Sequence, residues 1–173
     1  MYTGFGHIRR IDEDQSGLRV TLEEGPTGLL RKDHAEFQLI RDVWFDLLQQ
    51  TQTTGVPHPV WVAVDDNGVI TEDRLVLNGI PLSAKRDDAG GYLIIVPFTN
   101  ISRKLNPAHP RFREFERYLL AALEHETPLY YVGAAEDFYT IDDMLPAPPA
   151  GRAPQDEVVD AVASGEVAVE QRE

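Results

Sequence analysis

The sequence predicts an α+β domain, mostly antiparallel sheet with two amphipathic helices laid over it and an acidic tail behind. Three observations carry this. Short β-branched and aromatic runs are separated by Gly, Asp and Asn turns, most plainly Tyr92–Phe98 after Gly90-Gly91. Two segments place apolar residues at helical spacing: Phe37, Ile40, Val43, Trp44, Leu47 and Leu48, then Phe112, Phe115, Leu119, Ala122 and Leu123. The hairpins follow one another too closely for repeated βαβ crossovers, which argues against a doubly wound parallel sheet.

In chain order, Phe5–Ile11 reads as a strand, Asp14–Gly17 as its turn and Leu18–Leu22 as the return strand, with Leu18, Val20 and Leu22 on one face. Gly25-Pro26-Thr27-Gly28 reads as the end of that hairpin. Asp33 and Glu36 have the spacing of a capping box, opening a helix over 34–50 that stops by Gly55-Val56-Pro57. Val60–Val64 and Val69–Thr71 flank Asp65-Asp66-Asn67-Gly68, whose last two residues tolerate positive φ and favour a hairpin turn. Arg74–Leu77 extends the sheet to a second Asn-Gly turn signal at Asn78-Gly79. Ile80–Arg86 is expected to pair with Tyr92–Phe98. Pro107 and Pro110 bound a loop before the second helix, and Thr127-Pro128 ends that helix. Leu129–Val132 is one more strand, and Phe138–Ile141 a short extended segment before Met144-Leu145. No internal repeat stands out, and whether the first hairpin joins the later strands in one sheet is left open.

Residues 1–146 are expected to form one domain and 147–173 a disordered Pro/Ala-rich acidic tail. Pro146, Pro148, Pro149 and Pro154 sit among small residues, and beyond them large apolar side chains give way to Val and Ala. Such a composition buries too little surface to offset its ordering entropy.

Tyr92–Pro97 followed by Phe98-Thr99-Asn100-Ile101 resembles the strand-to-turn region of small SH3-like barrels, including the Sm-like group. The similarity covers 59–105, and the preceding helix is in keeping with it. It implies a small, strongly bent barrel. The Arg-Gly step of the Sm-like second motif is missing, so no RNA-binding residue is transferred.

The chain has no cysteine, which excludes disulfides, thiolate metal sites and cysteine nucleophiles. The five histidines show no metal-ligand spacing, the serines no nucleophile motif, and the acidic turn at Asp65 lacks the alternating ligands of a calcium loop. No metal and no cofactor are expected. A formal net charge of -13 opposes phosphate backbones and anionic membranes. Nothing resembles a signal peptide or a membrane span, so a cytoplasmic location is expected.

Two clusters remain. Tyr130, Tyr131, Phe138 and Tyr139 would anchor a protein partner if two or more were exposed. Arg103, Lys104, Arg111, Arg113 and Arg117 form a basic group with Phe112 and Phe115 interleaved, able in principle to meet nucleic acid, an acidic partner or the acidic tail. Helical spacing assigns the two phenylalanines to the core and makes nucleic-acid contact the lesser reading. The expectation is a non-enzymatic protein-binding or adaptor module, acting through an aromatic or sheet-edge surface and its acidic tail. Homo-oligomerisation stays open. The alternatives are an enzyme with a dispersed site and an Sm-like nucleic-acid binder.

Overall fold

The computed structural model describes residues 1–96 and 102–147. The tail expected from 147 therefore lies outside the described residues except for Ala147, as do the Pro97–Ile101 positions of the Sm-like motif.

The first sheet has the order β3-β2-β1-β4-β5, built from β1 (Tyr2–Glu13), β2 (Gly17–Leu22), β3 (Thr27–Arg31), β4 (Pro59–Val64) and β5 (Ile70–Arg74), all antiparallel. The helix α1 (Phe37–Thr54) sits between β3 and β4 in the chain. Strand β1 is long enough to serve two neighbours: Tyr2–His7 pairs with β4, and Ile8–Glu13 with β2. A bulge between Ile8 and Arg10 divides the two halves. Of the Gly25–Gly28 segment only Gly25-Pro26 turn, and Thr27-Gly28 open a third strand paired with β2.

The same order then recurs. β6 (Val76–Gly79) pairs with β10 (Leu129–Gly133), which pairs with β11 (Ile141–Pro146). β7 (Ser83–Arg86) pairs with β8 (Tyr92–Ile95), and β8 with β9 (Ser102–Leu105). The helix α2 (Phe112–His125) sits between β9 and β10. β6 and β7 together take the part of β1, cut in two at Pro81, which has no N–H for a ladder. The chain is an internal duplication, which inspection of its sequence did not reveal.

Residue-level agreement between the two units is close. Leu18, Val20 and Leu22 of β2 match Tyr92, Ile94 and Val96, all buried. Leu29 N–H donates to Gly68 O at 2.8 Å, and Lys104 N–H to Tyr139 O at 2.8 Å, each linking the outer edges of its own unit at one end. Each link belongs to an isolated parallel bridge, Leu29–Val69 in the first unit and Lys104–Thr140 in the second, and no barrel closes among the described residues. The 59–105 stretch that resembles an Sm-like barrel straddles the two units, which is why it forms no such barrel. Each unit has its own core. Ile8, Leu18, Val20, Leu30, Val60, Val62 and Val64 gather with Ile40 and Trp44 of α1. Tyr92, Ile94, Leu105, Leu129, Tyr131 and Met144 gather with Phe112, Phe115, Leu119 and Ala122 of α2.

The helix starts are duplicated in detail. The expected capping box at Asp33 does not form: Asp33 pairs with Arg31, and the N-cap residue is Glu36, whose side chain makes no cap bond. Instead the His34 ring Nδ1 accepts the Glu36 N–H at 3.2 Å, and His109 Nδ1 accepts the Arg111 N–H at 3.0 Å. His109 Nε2 also donates to Asp142 O at 2.9 Å, and its ring packs on Phe115 with centroids 4.9 Å apart. His109→Ala is expected to cost ~1–2 kcal/mol in urea unfolding and His34→Ala about half that, because only the former loses a tie to a neighbouring strand.

An ion pair recurs with its charges exchanged. Arg41 of α1 meets Glu13 of β1 at 2.8 Å, whereas Glu116 of α2 meets Arg86 of β7 at 2.8 Å. Glu116 also accepts from Tyr92 Oη at 2.8 Å and from Arg113 at 3.0 Å. These donors hold its carboxyl below the usual range.

Asn78-Gly79 is not a turn. Both residues lie in β6, opposite Tyr130 and Leu129. Asn67-Gly68 is one, with Gly68 at φ 76°. Asp65 spends its carboxylate there on the N–H groups of Asn67 and Val69, both at 2.9 Å. No described helix is long and apolar enough to cross a membrane.

Candidate functional site

The two units meet along the single residue, Leu75, that separates β5 from β6. Trp61 of β4 points away from its own core. Its Nε1–H donates to Asp143 of β11 at 3.0 Å. Arg74 lies over the Trp61 ring at 4.3 Å and pairs with Glu72 at 2.6 Å and with Asp142. Asp143 also accepts from Arg111 at 2.9 Å. This polar junction, buried at Trp61 and Asp143 and half-buried around them, ties β4 and β5 of the first unit to β11 of the second.

A groove of about 410 Å³ opens beside that junction. One wall is α1, through Leu39, Val43 and Leu47. The other is Asp73, Leu75, Val76 and Asn78, with Pro59 and Tyr130 among the remaining lining residues. Leu39 and Leu75, both lining the groove, are each 64% exposed, a large apolar exposure for one concavity. Residues Ile40 and Trp44 form the helix stripe that enters the core. Leu39, Val43 and Leu47 form a second stripe beside it, at i, i+4, i+8. Val43, expected in the core stripe, belongs to this one and is exposed.

Asp73 is the one half-buried carboxylate here without an ion-pair partner among the described residues. Its burial, then the negative charge of Glu36, push its pKa up, with His34 pulling the other way. A group with a raised folded pKa stabilises the native state below its unfolded pKa, and loses that contribution as pH rises through the folded value. Asp73→Asn is therefore expected to raise the thermal midpoint at pH 7, with the difference from wild type shrinking as pH falls toward 4. A midpoint lowered at pH 7 would mean that the carboxylate has a partner within the chain.

A second hollow of about 310 Å³ shares Asp73, Arg74 and Leu75 with the first and reaches Phe138. Here the aromatic cluster splits. Tyr130 and Tyr131 are buried, and so are not the exposed anchors the sequence suggested, because β10 is the central strand of its sheet. Tyr130 still lines the groove. Tyr131 lies in the second core, its hydroxyl without a hydrogen-bond partner and its pKa pushed up by burial. Phe138 and Tyr139 are exposed, at 41% and 49%, and pack edge-on with centroids 6.0 Å apart.

The basic group is dispersed. Arg103 is buried, stacked on Phe138 at 4.3 Å and donating to Phe138 O at 2.9 Å. Arg111 is taken up by Glu114 and Asp143, and Arg113 by Glu116. Arg111 and Tyr118 hold the Glu114 carboxyl down at about 2. The five residues therefore present no joint cationic surface, since carboxylates of α2 and β11 neutralise two of them and the sheet encloses a third. Phe112 and Phe115 are core residues, as their spacing indicated.

Sequence reasoning missed Leu39, Leu75 and Asp73. The available signal was the width of the apolar face of α1. Leu47 of the second stripe packs on the first core, while Leu39 and Val43 stay exposed along the groove.

Compared with known proteins, the chain matches no protein-family model, no curated protein and no solved structure.

Proposed function

We propose that the protein is a non-enzymatic peptide-binding module, and that its groove takes an apolar segment of a partner protein carrying a lysine or arginine. The observation that carries this reading is Asp73: a half-buried carboxylate without an ion pair among the described residues, in a groove where Arg74, the one arginine or lysine of the lining, is already taken up by Glu72 and Asp142. A charge in such surroundings is costly unless matched. A cationic side chain from outside supplies the match, and Glu36 adds to the attraction.

The shape suits a peptide. The volume lies in the range of ligand clefts, ~300–1,000 Å³. The Leu39-Val43-Leu47 stripe offers the contacts an apolar segment needs. β6 is an edge strand, and Val76 and Asn78 on it line the groove, so an extended segment can add main-chain hydrogen bonds along that edge. Phe138, which lines the second hollow together with Leu75, lengthens the surface with an aromatic contact, and Tyr139 packs edge-on against it.

Selection from a random twelve-residue peptide library tests the reading. The expected result is enrichment of sequences that join two or more large apolar residues to a lysine or arginine. Enrichment of acidic peptides, or none, contradicts it.

A further inference from the structure

The outward face of the sheet β7-β8-β9 carries a second, oppositely charged surface. In register, Lys85, Leu93 and Lys104 form one transverse row, and Ser83, Ile95 and Ser102 the next. Tyr92 and Ile94 point into the core, so Leu93 and Ile95 point outward, at 40% and 44% exposure. Their counterparts in the first unit, Arg19 and Thr21 of β2, are polar. The apolar pair is thus peculiar to the second unit, where duplication alone would leave a solvated face. Leu82, whose N–H donates to Ile95 O at 2.8 Å, is largely exposed and widens it. Neither Lys85 nor Lys104 takes part in an ion pair among the described residues, although the chain carries a net charge of -13.

We infer that residues 156–163 of the same chain dock on this face, with their carboxylates at Lys85 and Lys104 and their valines over Leu93 and Ile95. The segment reads Asp156-Glu157-Val158-Val159-Asp160-Ala161-Val162-Ala163, acidic and apolar in alternation. The point of departure permits it. Ala147 N–H donates to Pro128 O at 3.0 Å, and Pro146, Leu129 and Gly79 stand in one row. The chain therefore leaves two strand spacings, ~10 Å, from Gly79. From Gly79 to Lys85 is at most ~20 Å along the backbone. Val158, eleven positions past Ala147, reaches ~36 Å, enough to span that path. Tethering raises the effective concentration to the millimolar range, so a weak contact suffices. The α1 groove is closed to this segment, since Glu36 and Asp73 repel it. The two surfaces select ligands of opposite charge.

Zero-length carbodiimide cross-linking of the full chain tests this, using an equal mixture of ¹⁴N- and ¹⁵N-labelled protein read by mass spectrometry. The expected products join Lys85 or Lys104 to Asp156, Glu157 or Asp160, in equally labelled peptide pairs only. Leu93→Glu keeps both lysines and the tether, and is expected to cut the yield at least tenfold. Leu93→Gln replaces it should the acidic variant fail to fold. Mixed-label products would give the face to a second copy of the chain. Those products, products with other carboxylates only, no products, or a yield unchanged by Leu93 replacement would each overturn the inference.

Discussion

Replacing Trp61 by alanine is expected to destabilise the protein by ~3–5 kcal/mol, the range for deleting a buried aromatic ring. Trp61 is 2% exposed, and its ring supports Arg74 while its Nε1–H reaches Asp143. Removing it opens a cavity where Trp61 of one unit and Asp143 of the other share a buried hydrogen bond. Trp61→Phe keeps most of the ring volume and loses the hydrogen bond, so ~1 kcal/mol is expected. Arg111 and Met144 N–H still bond the other carboxylate oxygen, Oδ1, so Asp143 stays paired with a cation in that variant while Oδ2 loses its indole donor. Urea unfolding of both variants checks the ordering. A Trp61→Ala cost below that of Trp61→Phe would show that the junction bears no load.

The second large effect concerns binding. Leu39→Glu combined with Leu75→Glu is expected to weaken a selected cationic peptide at least ~30-fold, equivalent to ~2 kcal/mol, while leaving the unfolding midpoint nearly unchanged. Both side chains are mostly solvated in the free protein, so the fold loses little when they change. The peptide would have to desolvate two carboxylates placed where its apolar residues should sit. Added negative charge alone would strengthen a purely electrostatic contact. The sign of the change thus distinguishes apolar docking in the groove from unspecific attraction of a basic peptide to an acidic protein. Fluorescence polarisation of the labelled peptide, at two salt concentrations, reads it.

Much of the architecture was legible because local signals agreed. The stripe Phe112-Phe115-Leu119-Ala122 specified α2, and the Tyr92–Phe98 run specified strand β8 over Tyr92–Ile95, where only Tyr92 and Ile94 are buried. The Asp65–Gly68 turn formed as its chemistry required. The duplication was hidden for a physical reason: the two units conserve roles rather than residues. Leu30, His34 and Phe37 recur as Leu105, His109 and Phe112, but Trp44 becomes Leu119, Gly28 becomes Arg103, and the helix–strand ion pair exchanges its charges. The unbroken β1 became two short strands about Pro81, and Asn78-Gly79 suggested a turn where a ladder runs straight through. The groove was less legible still. Leu39 stands beside Ile40 and Leu75 opens a Leu-Val-Leu run, so neither is singled out by pattern, and only the fold puts both on the groove. Tyr130 and Tyr131 looked like surface anchors by composition, yet a central strand buries both faces.

The binding surface proposed for the protein is the groove between α1 and the β5–β6 junction. Backbone amide chemical shifts, followed while the wild-type chain is titrated with a library-selected peptide, test that most directly. The largest shifts are expected on Leu39–Leu47 and on Asp73–Asn78, with smaller ones at Phe138 and Tyr139. Shifts confined to other faces, with α1 and the Leu75 linker unmoved, would contradict it.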